Sequence, residues 1–326
     1  MSGSDRPHRP LTIAPEHAGW RVDAYLSARF SSWSRTAVQK AIKRGEIETD
    51  GRRVKASMRL EAGEVLRIYT PGYAPDGPPP PLPPILFEDN RLLVINKPPG
   101  LLAHPAGDRF AYAVIGLIKT ARPDDRVDLC HRLDRDTSGV MVLTKDLEAN
   151  THVKAQLRER SAHLQKTYLA LVRGQPEWDT RDVRAPIGDR LDTEIRLRRG
   201  VTDDGLHART VFTVVKRLDG HALVRCALHT GRTHQIRVHL EHVGHPILGD
   251  KVYGQPDRVF LEWHEQGASD FVREHTGFPR QCLHAWQLRL RHPEGDELAF
   301  EAPLPDDMQG VVDGAAPGWP MDSTSA

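Results

Sequence analysis

The chain has 326 residues, 39% of them hydrophobic, and a formal net charge of only +1. This length favours one large domain with a smaller one, and the charge does not by itself indicate a nucleic-acid-binding protein. No window approaches 18 consecutive apolar residues, the N-terminus has no signal-peptide core, and three widely spaced cysteines predict neither disulfides nor a thiolate metal site. We therefore expect a soluble, cytoplasmic protein without a membrane segment.

Residues 1–70 predict a small α/β module. Ser34 is a suitable N-cap for the second of two short helices, and Gly45 provides its stop. The predicted elements are helices over residues 22–30 and 34–44, a hairpin around Asp50-Gly51 and a strand over residues 65–69.

Positive charge is concentrated in this module. Between Arg35 and Arg59 there are eight basic residues and three acidic ones. The second helix places most of its basic side chains opposite its apolar face, and such a patch binds phosphate even when the total charge is near zero. The alternative is a basic face that is only solvated. The four predicted phosphate-binding residues are Arg35, Lys40, Lys43 and Arg44.

A proline-rich segment, residues 71–84, follows the module. Eight of its fourteen residues are proline. Prolines lack the N–H that helices and sheets require, and consecutive prolines favour extended polyproline II structure. The segment is therefore interpreted as a semi-rigid linker. The alternative is a proline-rich ligand for another protein.

Residues 85–310 predict a larger domain. Hairpins interspersed with single helices favour an α+β fold with a largely antiparallel mixed sheet. Residues 311–326 contain acidic residues but no Lys or Arg, and they predict a disordered acidic tail. The predicted elements are strands over residues 85–87, 92–95, 166–172, 210–216 and 222–227, and helices over residues 111–120, 146–160 and 233–243.

The segment Cys130–Gly139 carries the strongest chemical signal. It is a charged loop closed by glycine, and an apolar run typical of a buried strand follows at once. Carboxylates held between arginines stay ionised where water is scarce, because positive charge lowers a carboxyl pKa. Such a group can act as a nucleophile or base. The alternative is an ordinary Arg–Asp salt-bridge loop.

This loop, with the sequence HRLDRDTSG, resembles the catalytic motif of the RluA-type pseudouridine synthases. Further segments resemble family motifs in the expected order: Val94–Leu101 with His104-Pro105, Lys166–Ala170, Gly231–His239, Gly249–Gly254 and Leu283–Ala285. The resemblance spans about residues 85–308. Residues 20–69 similarly resemble the S4 RNA-binding domain. Residues 257–281 match no family motif, and they are interpreted as an RNA-contacting loop or a crossover helix.

The resemblance implies a set of site residues. It assigns the catalytic carboxylate to Asp134, a stacking face for uracil to Tyr168, and pairing with Asp134 to Arg232. Arg132 is expected to contact RNA, and Leu283 to line the base pocket. Tyr168 could instead be ordinary core, and Arg232 could instead bind phosphate.

Asp136 is the wrong carboxylate by motif position. It is expected to bond the loop backbone near Thr137 and Ser138. The reaction implied by the resemblance converts uridine to pseudouridine and adds and removes no atoms. It therefore requires no cofactor, and no metal site is expected.

The expected partner is structured RNA, because extruding a base from a loop costs less than extruding it from a helix. Large-subunit ribosomal RNA is favoured by the layout of the two modules, and transfer RNA is the alternative. Two other classes are a non-catalytic RNA-binding protein and a metal-dependent hydrolase. The hydrolase hypothesis rests on five nearby histidines, which are His229, His234, His239, His242 and His245. The protein is expected to be a monomer.

Overall fold

The computed structural model describes residues 9–29, 35–49, 52–68, 79–104, 112–159 and 163–319. The chain divides into two compact units. One comprises residues 1–81 and 104–120, and the other comprises residues 82–103 and 121–326. Within the described ranges, no helix has the length and apolar character needed to cross a membrane.

The N-terminal unit contains a four-stranded sheet in the order β1-β4-β2-β3. Its two helices bury apolar residues such as Leu26 and Val38 against the sheet residue Leu66. The two predicted helices and the final strand are confirmed, whereas Ser34 and the Asp50-Gly51 turn lie outside the described residues. The elements are β1 (Arg9–Thr12), a 3₁₀ turn (Pro15–His17), α1 (Val22–Arg29), α2 (Arg35–Lys43), β2 (Ile47–Thr49), β3 (Arg52–Arg53) and β4 (Val65–Ile68).

The larger unit is built on a sheet for which ten strands are described, in the order β10-β13-β14-β9-β15-β8-β6-β5, with β16 beside β15 and β7 beside β8. β15 and β8 are parallel, and the other described pairs are antiparallel. This confirms the predicted α+β fold with a largely antiparallel mixed sheet. The strands are β5 (Ile85–Glu88), β6 (Leu92–Lys97), β7 (Asp128–Leu129), β8 (Ser138–Thr144), β9 (Gln165–Arg173), β10 (Thr180–Val183), β13 (Thr210–Leu218), β14 (His221–Leu228), β15 (Leu283–Arg291) and β16 (Glu297–Glu301).

A small hairpin and six further helices complete the described elements. Asp146 caps one helix as predicted, because its Oδ1 accepts from Ala149 N at 2.8 Å. The segment 257–281, which matched no motif, forms two short helices and the loop that follows them. The elements are β11 (Ile187–Asp189) with β12 (Arg199–Val201), α3 (Val114–Ala121), α4 (Leu147–Glu159), α5 (Gln235–His242), α6 (Asp257–Gln266), α7 (Asp270–Thr276) and α8 (Asp306–Val312).

The C-terminal segment differs from the predicted disordered tail over residues 311–319. Val311 lies in α8 and is buried. Trp319 Nε1 donates to Thr276 Oγ1 at 3.2 Å, and the Trp319 ring lies beneath the Lys251 ammonium. Acidic composition did not reveal these apolar anchors. Residues 320–326 lie outside the described part.

The parallel contact between β8 and β15 positions the charged loop. Gly139 has a φ of +110°, and a Cβ there would overlap the carbonyl oxygen of Ala285. Only glycine therefore allows the two strands to approach at this point. The charged loop, Cys130–Gly139, ends at this contact.

Candidate active site

A cavity of about 510 Å³ lies at the end of the charged loop. All five site residues predicted in this unit line it. Strands β9 and β15, the charged loop and the segment that enters α5 supply its walls. The lining residues are Arg132, Leu133, Asp134, Thr137, Lys166, Tyr168, Leu228, Gly231, Arg232, Thr233, His234, Gln235, Ile236, Arg237 and Leu283.

Hydrogen bonds from β15 and from the residues just before it hold the charged loop in place. Gln281 Nε2 donates to Thr137 Oγ1 at 2.8 Å. Ser138 Oγ lies 2.9 Å from His284 Nδ1, and His284 Nε2 lies 3.1 Å from the carbonyl oxygen of Ala302. Because a carbonyl only accepts, Nε2 carries the imidazole proton and Nδ1 accepts from the Ser138 hydroxyl. The motif residues of β15 therefore hold the loop end.

A buried lysine ties the same loop to the segment after β6. Lys97 Nζ donates to the carbonyl oxygens of Pro98, Leu101 and Arg135 at 2.8, 2.7 and 2.9 Å. Burial lowers the pKa of Lys97 to about 7, although Asp136 and Asp134 oppose this shift. The resemblance included Lys97 but assigned it no role. The structure shows that it satisfies three carbonyl groups of two loops.

The predicted partner of Asp134 was wrong. Arg237 Nη1 donates to Asp134 Oδ2 at 3.0 Å. Arg232 instead directs its Nε to the carbonyl oxygen of His207 at 3.0 Å. The two arginines differ in position: Arg237 lies in the first turn of α5 and is buried, whereas Arg232 precedes the helix. Both arginines occur in the same motif, and sequence alone did not distinguish them.

A second carboxylate holds Arg237 in place. Asp250 is fully buried and accepts from Arg237 Nε and Nη2 at 2.6 and 2.8 Å. Asp250 also accepts from the backbone N–H groups of Val252 and Tyr253 at 2.9 and 3.1 Å. Gly249 places Asp250, because its φ is +77° and a Cβ there would overlap the carbonyl oxygen of Arg280. Arg237 is therefore prepositioned by a bidentate ion pair.

Asp134 is ionised in this setting. Burial alone would raise the pKa of its carboxyl group, but the Arg237 charge and hydrogen bond outweigh burial and hold the pKa below its usual value. About a third of the side chain, 33%, remains exposed to the cavity. An ionised and accessible carboxylate is what a nucleophile or base requires.

His234 contributes a neutral ring beside the same carboxylate. Tyr253 Oη accepts from Arg199 N at 2.9 Å and lies 2.8 Å from His234 Nδ1. Burial lowers the pKa of His234 to about 4, so the ring is neutral at pH 7. Nε2 lies 3.8 Å from Asp134 Oδ2, which can only accept, so we infer that the imidazole proton is on Nε2 and that the phenol donates to Nδ1. From the sequence, His234 was interpreted only as one of five histidines that could bind a metal.

Tyr168 and Leu283 form the less polar side of the cavity. Tyr168 is half-buried on β9, where it pairs with Cys226 and Ala285 on the neighbouring strands. Burial, followed by the charge of Asp134, raises the pKa of its phenol, so the hydroxyl is protonated at neutral pH. Tyr168 packs against the core and also lines the cavity. Leu283 is buried beside it.

Asp136 does not bond the loop backbone in the way expected. Its two oxygens accept from Arg135 Nε and Nη2 at 2.8 and 3.2 Å. The Arg135 guanidinium also stacks 4.6 Å from the centre of the Trp263 ring on α6. The two neighbouring aspartates therefore have different environments, and only Asp134 lines the cavity.

The five histidines do not form a donor cluster. His239 lies 2.9 Å from both Thr210 Oγ1 and the carbonyl oxygen of Ala185, and His245 Nδ1 lies 3.0 Å from the carbonyl oxygen of Arg173. Throughout the described ranges, no group of three or more His, Cys, Asp or Glu side chains is arranged to hold a metal. The metal-hydrolase hypothesis thus lacks a site in the described residues.

The four basic residues predicted to bind phosphate fall into two groups: the arginines form ion pairs within the unit, and the lysines are exposed. Arg35 Nη2 donates to the buried Asp23 at 3.0 Å, and Arg44 forms an ion pair with Glu46. Lys40 and Lys43 are exposed on α2. The two lysines are therefore the clearest candidates for binding phosphate.

The chain is similar to known RNA pseudouridine synthases. The family model for RNA pseudouridylate synthase matches residues 91–242, and the S4 domain model matches residues 20–66. The chain is 37% identical over 311 residues to ribosomal large subunit pseudouridine synthase D of Nitrosomonas europaea, covering 93% of this chain and 86% of that protein. It is 36% identical over 316 residues to synthase C of Pasteurella multocida, covering 93% and 92%.

A solved structure shows the same catalytic fold. Human RNA Pseudouridylate Synthase Domain Containing 4 aligns with a TM-score of 0.55 and 30% identity, over 70% of this chain and 91% of that chain. The chain therefore belongs to the RNA pseudouridylate synthase family, carries an N-terminal S4 domain, and is an RNA pseudouridine synthase. The family and activity predicted from the motifs are confirmed.

Proposed function

We propose that this protein isomerises uridine in large-subunit ribosomal RNA and that Asp134 is its catalytic carboxylate. The relatives named for that activity match more than nine-tenths of the chain. The observation that carries the residue assignment is the position of Asp134. It is ionised, partly exposed and held by Arg237 in a cavity that Tyr168 also lines.

The proposed role of Asp134 follows from its contacts. The reaction breaks the bond between uracil N1 and ribose C1′ and then joins C5 to C1′. Two nitrogen atoms lie near Oδ2 of this carboxylate: Arg237 Nη1 at 3.0 Å and His234 Nε2 at 3.8 Å. We assign the reacting position to Oδ1, while Arg237 keeps the group ionised. No cofactor is required for this rearrangement.

The other lining residues would hold the detached base and the RNA. Tyr168 offers a flat ring to the uracil and a protonated hydroxyl to its edge. Leu283 provides an apolar surface that limits water at the sugar. Arg132 is exposed at the rim and is suited to contacting the RNA beside the extruded nucleotide.

The S4 domain is proposed to bind the RNA, with residues 1–70 as the module, 71–84 as a semi-rigid linker and 85–310 as the catalytic domain. We also propose that the protein acts as a monomer. A ribosomal RNA substrate supports a cytoplasmic location. Light scattering of the purified protein would check the monomer, because a dimer mass would contradict it.

The substrate is tested by mapping pseudouridine in total RNA from cells with and without this gene. We expect loss of one or more sites in large-subunit ribosomal RNA, restored by the wild-type gene. Loss confined to transfer RNA would transfer the assignment to the alternative substrate. An unchanged map would contradict the proposed function.

A further inference from the structure

A second cavity, of about 350 Å³, adjoins the catalytic cavity and has no role in the reaction as described. Lys166, Leu228 and Gly231 line both cavities. Lys166 and Leu228 are direct pairing partners at the ends of β9 and β14. Lys166 also lies two residues from Tyr168 on β9, so their side chains point to the same face of the sheet.

The ammonium of Lys166 stands at the boundary between the cavities. Over the ranges that the structure describes, no ion pair or hydrogen bond involving this group is seen. Lys166 is half-buried, and this burial lowers the pKa of its ammonium. A partly buried cation without a counter-charge is unfavourable, so an anion at this boundary would stabilise it. RNA supplies one phosphate between each pair of successive nucleotides.

The walls of the second cavity suit a nucleobase. Leu157 on α4 and Leu164 provide apolar surface. Both pack against a hydrophobic cluster that contains Leu288, the residue paired with Lys166 on the neighbouring strand. His229 is exposed at the opening and presents a flat imidazole on which a base can stack. Apolar walls with a stacking ring are features of sites for unstacked bases.

We propose that the second cavity binds the base of the nucleotide next to the target uridine. Lys166 then binds the phosphate that joins the two nucleotides. This inference rests on the proposed function, and it adds a specificity subsite to the catalytic cavity. It explains how the enzyme would recognise a target by an adjacent extruded base as well as by the uridine itself.

The phosphate contact is tested with a mutant and substrate cycle. A short RNA loop containing the mapped uridine is prepared with a neutral methylphosphonate at its 5′ or its 3′ phosphate. For one of the two positions, we expect the neutral linkage to weaken single-turnover kcat/KM of wild-type enzyme about 10-fold, and Lys166→Met to remove that sensitivity. Lys154→Met, an exposed lysine on α4, should keep the wild-type sensitivity. Equal sensitivity of wild type and Lys166→Met at both positions would overturn the proposal.

The base contact is tested with abasic substrates. An abasic nucleotide next to the uridine, on the side found above, should lower wild-type kcat/KM about 10-fold, in the range expected for loss of one stacked base. Leu157→Trp, which fills the second cavity, should abolish this discrimination, and it provides the test if Lys166→Met does not fold. Preserved discrimination in Leu157→Trp would contradict the subsite. Absence of turnover by wild type on every RNA would instead contradict the proposed function.

Discussion

The N-terminal unit and the catalytic unit each hold an aspartate beside arginines, and the two carboxylates differ in what remains free. Asp23 in the N-terminal unit is fully buried and accepts from Arg21, Arg35 and Gln39, each at 3.0 Å. Asp134 in the catalytic unit receives one guanidinium hydrogen bond and remains 33% exposed. Arginine pairs with aspartate in both units. The more exposed partner is the arginine in the N-terminal unit and the aspartate in the catalytic unit.

This difference identifies which charge is available for function. In the N-terminal unit the Asp23 carboxylate is fully buried and paired, whereas Lys40 and Lys43 of α2 are exposed. In the catalytic unit the guanidinium of Arg237 is saturated by two carboxylates, and Asp134 keeps free capacity toward the cavity. An internal ion pair thus positions a side chain, and we propose that the partly unpaired groups are the ones that contact RNA.

The largest effect on this comparison is expected from removing Arg237. Arg237→Met leaves Asp250 buried without its counter-charge, so the free energy of unfolding should fall by about 3–5 kcal/mol. Turnover should also fall sharply, because Asp134 loses its only guanidinium hydrogen bond. Urea unfolding and single-turnover assays would measure both.

Arg232→Met is the matched control for this variant. Arg232 lines the cavity but contacts a carbonyl oxygen, so its loss should change the free energy of unfolding by only about 1 kcal/mol. If both substitutions lowered the free energy of unfolding equally, the ion pair between Arg237 and Asp250 would not be a special source of stability.

A smaller effect is expected from Tyr253→Phe. The phenol donates to His234 Nδ1 and so favours the neutral ring, whose pKa burial lowers to about 4. Without the phenol the pKa of His234 should rise, and a positive ring at mildly acidic pH would then face Asp134. We expect the ratio of single-turnover rates at pH 8 and pH 5.5 to exceed that of wild type. An unchanged ratio would contradict the proton arrangement.

The smallest effect is expected from the exposed lysines. Lys40→Gln with Lys43→Gln should weaken RNA binding and flatten the log–log salt slope by about 0.7–0.9 per lost phosphate contact. The rate at saturating enzyme should change little, because both lysines are in the other unit. Arg181→Gln, an exposed arginine at the edge of the large sheet, is the control. A wild-type slope in the double variant would indicate that this face of α2 is only solvated.

Part of the site was predictable, because motif residues and strand patterns place local groups. Asp134, Tyr168, Leu283, Arg132 and Arg232 all line one cavity, as the ordered motifs indicated. The choice of Arg237 over Arg232 as the partner of Asp134 was not predictable, because both arginines lie in one motif and only the fold directs Arg237 to the carboxylate.

Local patterns also concealed buried polar contacts. The donation by Lys97 to three carbonyl groups depends on two loops that meet only in the folded chain. Likewise, the proton on His234 Nε2 depends on Tyr253 and on the backbone of Arg199. Tertiary packing determines such contacts, and the spacing of residues along the sequence does not encode them directly.

We propose that Asp134, the partly exposed carboxylate held by Arg237, performs the chemistry. This proposal is tested most directly by comparing Asp134→Asn with Asp136→Asn in a purified single-turnover assay on the mapped RNA. Both changes are nearly isosteric, and thermal unfolding should confirm that both variants fold. We expect no measurable pseudouridine from Asp134→Asn and substantial activity from Asp136→Asn. Activity retained by Asp134→Asn, or lost only in Asp136→Asn, would contradict it.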